Sequence, residues 1–349
     1  MYTRELQPPR NSPVEKGKPL TGTWDSAFAY VNLLNIARPY SWPLPRWLKG
    51  CRIKEWENFS AQDDRFFLEV FLANFKLYRT AHVSFFNKES GESYIFKKVL
   101  PGGSWKMPRR LSHSSVECRS SRFFFRVHTW LHADMIRLDM DIAASRKRPA
   151  FTFHLAYNME RQKLTPVAVS LKMNERRNMY AFKALTAVRG NIVLGEQHFS
   201  LDSATCSGIF RDYKGFFPYR MRGVFCGGMG FDGEGRRCGF HIAENQAKEN
   251  RKNNENALWL NGELTLLPPV RITMPGGLES EWVIQDIDGM VDLVFTPKKT
   301  YRLGTKMLAT SSDFFVALGY YNGMLLSAKE EQIQIRNQWG IGEKLYVRV

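Results

Sequence analysis

Three stretches in the middle of the chain alternate apolar and polar residues almost without a break. In Met135–Ile142, Ile136, Leu138, Met140 and Ile142 alternate with Arg137, Asp139 and Asp141. In 150–158 the apolar positions are Phe151, Phe153, Leu155 and Tyr157; in 166–173 they are Val167, Val169, Leu171 and Met173. Successive side chains of a strand point to opposite faces, so this period means one buried face and one wet face, as in antiparallel sheet.

The flanking sequence reads the same way. Segments 81–87 and 93–100 flank a turn at Gly91, and 122–131 is an aromatic run. Residues 65–80 fit a helix through Phe67, Val70, Phe71 and Phe75, or a strand face through Phe66, Leu68, Val70 and Leu72; the strand is chosen because strands follow. Residues 179–201 read as a meander with turns at Gly190-Asn191 and Gly195-Glu196. Strands are expected at 223–229 and 237–243 around Asp232-Gly233, and at 256–259, 282–286, 291–296, 314–321 and 344–349. Asn322-Gly323 between apolar flanks signals a hairpin, and 244–254 reads as a solvated polar loop. Many short strands without intervening helices predict an all-β fold. They are too many for one ordinary barrel. The expectation is two tandem antiparallel β-barrel or sandwich domains, 20–200 and 201–349, after a proline-rich extended arm, 1–19.

The 349 residues are 44% hydrophobic, with 25 Phe, 13 Tyr and 9 Trp, which is ample for a packed core. The formal charge of +16 favours anionic partners. Its basic residues come as scattered pairs such as Lys97-Lys98 and Arg236-Arg237. That pattern predicts weak attraction to anionic membrane surfaces or polyanions and no specific nucleic acid. Five cysteines, none in a C-x-x-C pair, point away from a structural zinc site and a disulfide framework and towards a reducing, cytoplasmic compartment. No signal peptide is read in the first twenty residues. No metal or cofactor motif is present: Cys226-Gly-Gly-Met-Gly-Phe231 lacks the Lys-Ser/Thr ending of a phosphate loop.

The densest mix of aromatic, charged and turn-forming residues is 208–220, followed by Glu255-Asn256-Ala257. Thr21-Gly22, Lys54-Glu55-Trp56, 179–184, Gly215-Phe-Phe-Pro-Tyr-Arg220 and Glu255-Asn256-Ala257 occur in order, and on these motifs the chain resembles the prokaryotic family known as domain of unknown function 2804, from about residue 20 to 349. That resemblance implies kinship with tandem lipocalin-like proteins, among them carotenoid hydratases and, more distantly, tocopherol cyclases. In those relatives an Asp-bearing motif opens the second barrel. Here Phe210-Arg-Asp-Tyr213 takes that place, with Phe210 and Tyr213 where the relatives have a Trp beside the acid.

Asp212 is therefore the candidate catalytic residue. A neutral, buried carboxyl could protonate an alkene, with the cation captured by water or a substrate hydroxyl. The plainer reading is an ion pair or turn residue beside Arg211 and Lys214. Arg220 and Arg222 share one face of a strand at 219–225, with Tyr219 and Phe225 on the other. Facing inward they would need an anion such as Glu255 or a ligand carboxylate; facing outward, which is the reading taken, they are solvated. Tyr213, Tyr219, Arg220, Arg222, Glu255, Asn256 and Trp56 form the candidate ligand-binding set. Three functions stay open: binding a hydrophobic or amphiphilic small molecule, which leads; acid-catalysed hydration or cyclisation of an isoprenoid-like substrate; and a non-catalytic structural role. The stretches 208–220 and 255–256 are expected to meet at the entrance strands of the second barrel.

Overall fold

A computed structural model describes residues 2–159, 164–306 and 311–348. Two curled antiparallel sheets carry almost all of it. The first runs in the order Ser93–Pro101, Tyr78–Asn87, Phe66–Asn74, Lys54–Gln62, Ser207–Gly215, Arg177–Leu194, Phe151–Asn158, Met135–Ile142, Phe123–Trp130 and Ser114–Ser120. Val167–Asn174 and Gln197–Leu201 also pair with Arg177–Leu194, and Gly22–Trp24 pairs with Val167–Asn174. The second sheet runs Glu263–Leu266, Ala257–Leu260, Arg237–Asn245, Arg220–Phe231, Gln332–Arg348, Ser311–Leu326, Val291–Lys306, Trp282–Gln285 and Arg271–Thr273. These are two tandem lipocalin-like units. Among the described residues helix is confined to Arg46–Arg52 and two short 3-10 turns.

Each sheet curls around an apolar core, and a third core lies between them. Phe59, Phe85, Phe151, Phe153 and Phe210 fill the first barrel. Phe240, Trp282, Phe295 and Tyr321 fill the second. Trp56, Phe67 and Phe71 of the first sheet meet Met221, Phe225, Phe314 and Ile341 of the second between them. This explains the ambiguity at 65–80. Phe66, Leu68, Val70 and Leu72 point into the first barrel while Phe67 and Phe71 point into the junction, so Phe66–Asn74 is a strand buried on both faces and shows no clean period.

Several turn signals sit inside strands. Gly190-Asn191 lies within the 18-residue strand Arg177–Leu194, not at a turn. That strand pairs first with Val167–Asn174 and Ser207–Gly215, then with Phe151–Asn158 and Gln197–Leu201. Gly190, at φ +144°, lies where a Cβ would stand 2.0 Å from the His154 carbonyl oxygen. Likewise Asn322-Gly323 is no hairpin. It lies within Ser311–Leu326, at an irregularity where Gly323 opposes Leu293, and a Cβ there would stand 2.1 Å from the Asp292 oxygen. Glycine at both points serves close backbone approach within a sheet rather than chain reversal. The turn at Gly195 forms as expected, at φ +60°.

Ser207–Gly215 hydrogen-bonds to Lys54–Gln62 and Arg177–Leu194, and the chain changes sheet between Gly215 and Arg220. A division at residue 200 would part this strand from its partners. The N-terminal arm includes a short pairing of Val14–Glu15 with Lys18–Pro19. Its start reaches the second unit, where the Tyr2 hydroxyl donates to Arg251 O (2.9 Å) and Arg4 donates to the carbonyls of Asn254 and Asn256. Final residue 349, assigned to the last strand from sequence, lies outside the described residues.

Gly190→Ala should destabilise the fold by about 2 kcal/mol or more in urea titrations, because it forces backbone displacement at a special φ. Gly233→Ala, whose Cβ meets nothing within 4 Å, should change stability by less than about 0.5 kcal/mol.

Candidate functional site

The strand Ser207–Gly215 is buried along its whole length yet carries three charged residues. Alternation deals them to two dry places. Phe210, Asp212 and Lys214 face the first barrel; Ile209, Arg211 and Tyr213 face the junction.

Inside the first barrel, Asp212 lies directly across from Glu57 on Lys54–Gln62, and both are fully buried. None of their four carboxyl oxygens has a hydrogen-bond donor. The nearest cation is Lys214, whose Nζ is 3.6 Å from Asp212 Oδ2, an ion-pair contact, and donates to the Pro108 carbonyl. Burial pushes the Glu57 carboxyl up to about 8, with the Asp212 charge adding and Lys214 opposing. Burial also raises Asp212, to about 6, against the pull of Lys214. Two close carboxyls in a dry site cannot both ionise readily, so the pair tends to keep a proton near neutral pH. Tyr180 lies across from Lys214, and its buried hydroxyl also lacks a partner. Burial and the nearby Asp212 and Glu57 charges hold this phenol well above its ordinary range.

A cavity of about 540 Å³ opens beside this group, where the strands bearing Glu55, Asn74, Arg79 and Lys214 end. Val31, Leu33, Leu34, Ile53 and Met107 supply apolar wall; Lys76, Arg79, Lys106, Arg109 and Lys214 supply positive charge against Glu55. Glu55 is paired with Lys76. The cavity is therefore partly apolar and net positive, with Lys214 between it and the acid pair.

The junction face differs because its charges are satisfied. Arg211 pairs with Glu69 (2.7 Å) and, across to the second sheet, with Glu343 (3.0 Å). Asn58 and Ser60 also donate to Glu69. Burial would lower the Arg211 guanidinium, but the two carboxylates outweigh it and keep it charged. A second bridge between sheets joins Lys183 to Glu255 at 2.7 Å. The Tyr213 hydroxyl donates to the same Glu255 oxygen (2.7 Å), and Asn245 donates to the other. Burial would raise Glu255, yet the Lys183 charge outweighs it and holds the carboxyl well below its usual range. Burial lowers Lys183 as well, against that same pair; the three donors converging on Glu255 keep it a carboxylate. His241 is pushed down to about 3 by burial and the Lys183 charge, so it is neutral, with Nε2 3.2 Å from the Tyr213 hydroxyl.

The candidate residues chosen from sequence are thus divided among places. Tyr213, Trp56 and Glu255 do come together: Trp56 stacks on Tyr213 at 4.8 Å, and Tyr213 holds Glu255. They meet in the junction, while Ser207–Gly215 belongs to the first sheet rather than to the entrance of the second barrel. Asp212 points to the opposite face and meets Glu57 instead. Asn256 braces backbone, accepting from Ala243 N and donating to Pro268 O. Tyr219 and Arg220 are exposed, and Tyr219 precedes the strand rather than sharing a face with Phe225. Arg222, also exposed, lines a cavity of the second barrel. Glu255 pairs with Lys183 and not with either arginine. Segment 244–254 is no uniform loop, since Glu244 and Asn245 end a strand and Asn254 is buried against Tyr2.

Sequence reasoning missed Glu57, Tyr180, Lys183 and His241. Glu57 had a signal. Once 54–62 is a strand, the period places Glu57 with Phe59 and Ala61, an acid on an apolar face. Lys183 had the same kind of signal, a charge on the face of Met179, Ala181 and Leu185; His241 had none, and the partners of both come from another sheet.

A family match covers residues 4–348. This chain belongs to the family described as Domain of unknown function (DUF2804). Among solved structures it is similar to CghA bound to Sch210972, at 13% identity and TM-score 0.54, over 84% of this chain and 88% of that one. CghA alone gives 12% identity and TM-score 0.53, over 84% and 87%. Kievitone hydratase from Nectria haematococca gives 10% identity and TM-score 0.48, over 84% and 88%. No curated protein matches by sequence. Among the described residues no helix is long and apolar enough to cross a membrane.

Two outcomes test the charge assignments. Glu255→Ala leaves Lys183 as a buried, uncompensated cation and should cost about 3–5 kcal/mol, whereas Lys183→Met combined with Glu255→Leu should recover most of that in chemical denaturation. Glu57 holds its proton in the folded chain at pH values where the unfolded chain has released it. Its contribution is therefore full below pH about 4.5 and is lost as pH rises towards about 8. Glu57→Gln should flatten the fall in stability across that window, measured by urea titration at stepped pH.

Proposed function

We propose that this protein binds an amphiphilic small molecule in the cavity at the end of the first barrel. The barrel interior is filled by aromatic side chains, and the partly apolar, net positive chamber beside Lys214 opens at its end, next to the acid pair. A polar or anionic group on that molecule would meet Lys76, Arg79 and Lys106, and its apolar part would lie against Leu33, Leu34 and Met107. The crystal structure of CghA with Sch210972 supports small-molecule binding on a scaffold of this fold.

One observation favours a second, chemical reading of the same site: the buried Glu57–Asp212 pair behind Lys214, whose carboxyl oxygens accept no hydrogen bond. A carboxyl kept neutral near pH 7 by burial is a general acid. With the Lys214 side chain turned aside from Pro108, the pair would reach the ligand. The carboxyl proton would add to an alkene carbon, with the π electrons forming the C–H bond. A water lone pair would capture the cation, and the resulting oxonium would return its proton to the carboxylate. Capture by a hydroxyl of the same molecule would give a ring instead.

Native mass spectrometry of the purified protein tests both readings. A co-purified small molecule is expected in the wild type and should be lost or weakened in Gly50→Phe, which adds a large ring to the cavity lining at a position whose Cβ meets nothing within 4 Å. An adduct unaffected by Gly50→Phe would place the ligand elsewhere, and no adduct would leave binding without support. If the pair is catalytic, Asp212→Asn combined with Glu57→Gln should retain a molecule lighter by one water, or an isomer with a different retention time. The same species in both would mean binding alone.

A further inference from the structure

The second barrel has a built opening of its own. Arg222 sits at the start of Arg220–Phe231, across from Tyr346, which lies across from Asp313. In the next row inward, Val224 lies across from Lys344, Lys344 across from Phe315, and Phe315 across from Arg302. With the segment that carries Ile272 and Leu278, these rows enclose a cavity of about 570 Å³. Phe315 and Ile272 are buried in its floor, while Arg222 and Lys344 stand exposed at its rim.

The charges there do not balance. Four cations, Arg222, Arg271, Arg302 and Lys344, face two acids. Glu244 is taken by Arg271 (3.1 Å) and by the backbone N–H of Ile272 (3.0 Å), and Asp313 lies 3.7 Å from Arg302. Among the described residues this leaves Arg222 and Lys344 with no carboxylate partner; Arg222 only lies over the Tyr346 ring, 5.6 Å from its centre. The two are diagonal neighbours on adjacent strands, with backbones about 7–8 Å apart. One carboxylate held between two long side chains can span such a gap. Beneath it, Val224, Phe315, Ile272 and Leu278 supply apolar surface that a hydrocarbon tail would remove from water.

We propose that the mouth of the second barrel is a separate ligand site for a single-tailed organic carboxylate, with its head between Arg222 and Lys344 and its tail over Phe315, Ile272 and Leu278. The site shares no residue with the first-barrel cavity and does not depend on the acid pair.

Calorimetric titration with sodium decanoate tests this, carried out on the full chain in the Gly50→Phe background so that the first cavity is obstructed. One saturable site is expected. Arg222→Gln with Lys344→Gln should weaken it by about ten-fold or more, because both head-group contacts are lost. Both positions are exposed, so folding should be retained, checked by circular dichroism. Decanol should bind more weakly than decanoate to the parent and similarly to parent and double variant. Absence of saturable binding in the Gly50→Phe protein, or decanoate affinity unchanged in the double variant, would overturn the proposal.

Discussion

A charge on a strand with no wet face must find its counter-charge inside the protein. Ser207–Gly215 is such a strand, and Arg211, Asp212 and Lys214 stand in three of its last five positions. Leaving ionised groups buried and unpaired costs several kcal/mol each. The packing around this strand is therefore constrained by electrostatics as much as by shape. Glu69 and Glu343 must approach Arg211 from two different sheets, and Lys214 must stay within reach of Asp212 and Pro108.

The two faces resolve that demand differently. On the junction side, Arg211 and Lys183 are answered by Glu69, Glu343 and Glu255, and most remaining donors and acceptors are engaged. Such networks add directional contacts to an interface that also buries Trp56, Phe225 and Phe314. They hold the two units in one register, since each ion pair is strong only at close range. On the barrel side, Glu57 and Asp212 are left facing each other without donors, and the cost of their charges is met by keeping a proton. A structural network is satisfied; a pair with raised affinity for protons, next to a cavity, is the arrangement that acid chemistry uses. That contrast, rather than the presence of charge alone, separates the candidate site from the scaffold.

Much of the architecture was legible along the chain. Where one face is wet, as in Met135–Ile142 and Phe151–Asn158, the period is clean and the strand bounds nearly match those expected. Where both faces are buried, as in Phe66–Asn74, the period vanishes because no position is required to be polar. The failures at Gly190 and Gly323 share a cause. Glycine marks backbone conformations and close approaches that other residues resist, and both chain reversal and a crowded sheet contact need them. Local sequence does not distinguish the two, since the neighbouring backbone at His154 or Asp292 comes from far along the chain.

The sequence by itself determined the all-β character, the tandem division into two sheets and the concentration of charged and aromatic residues at 208–220, while the burial of Arg211, Asp212 and Lys214 came only with the structure. The features legible in sequence follow from local rules: side-chain alternation and composition along the chain. Only the tertiary structure decided that Ser207–Gly215 joins the first sheet, that Asp212 meets Glu57 while Tyr213 meets Glu255, and that His241 and Lys183 share one carboxylate. Strand order and the faces of neighbouring strands select such pairs. Lys183 and Glu255 are drawn together by the packing of one sheet on another, and no spacing along the chain encodes that.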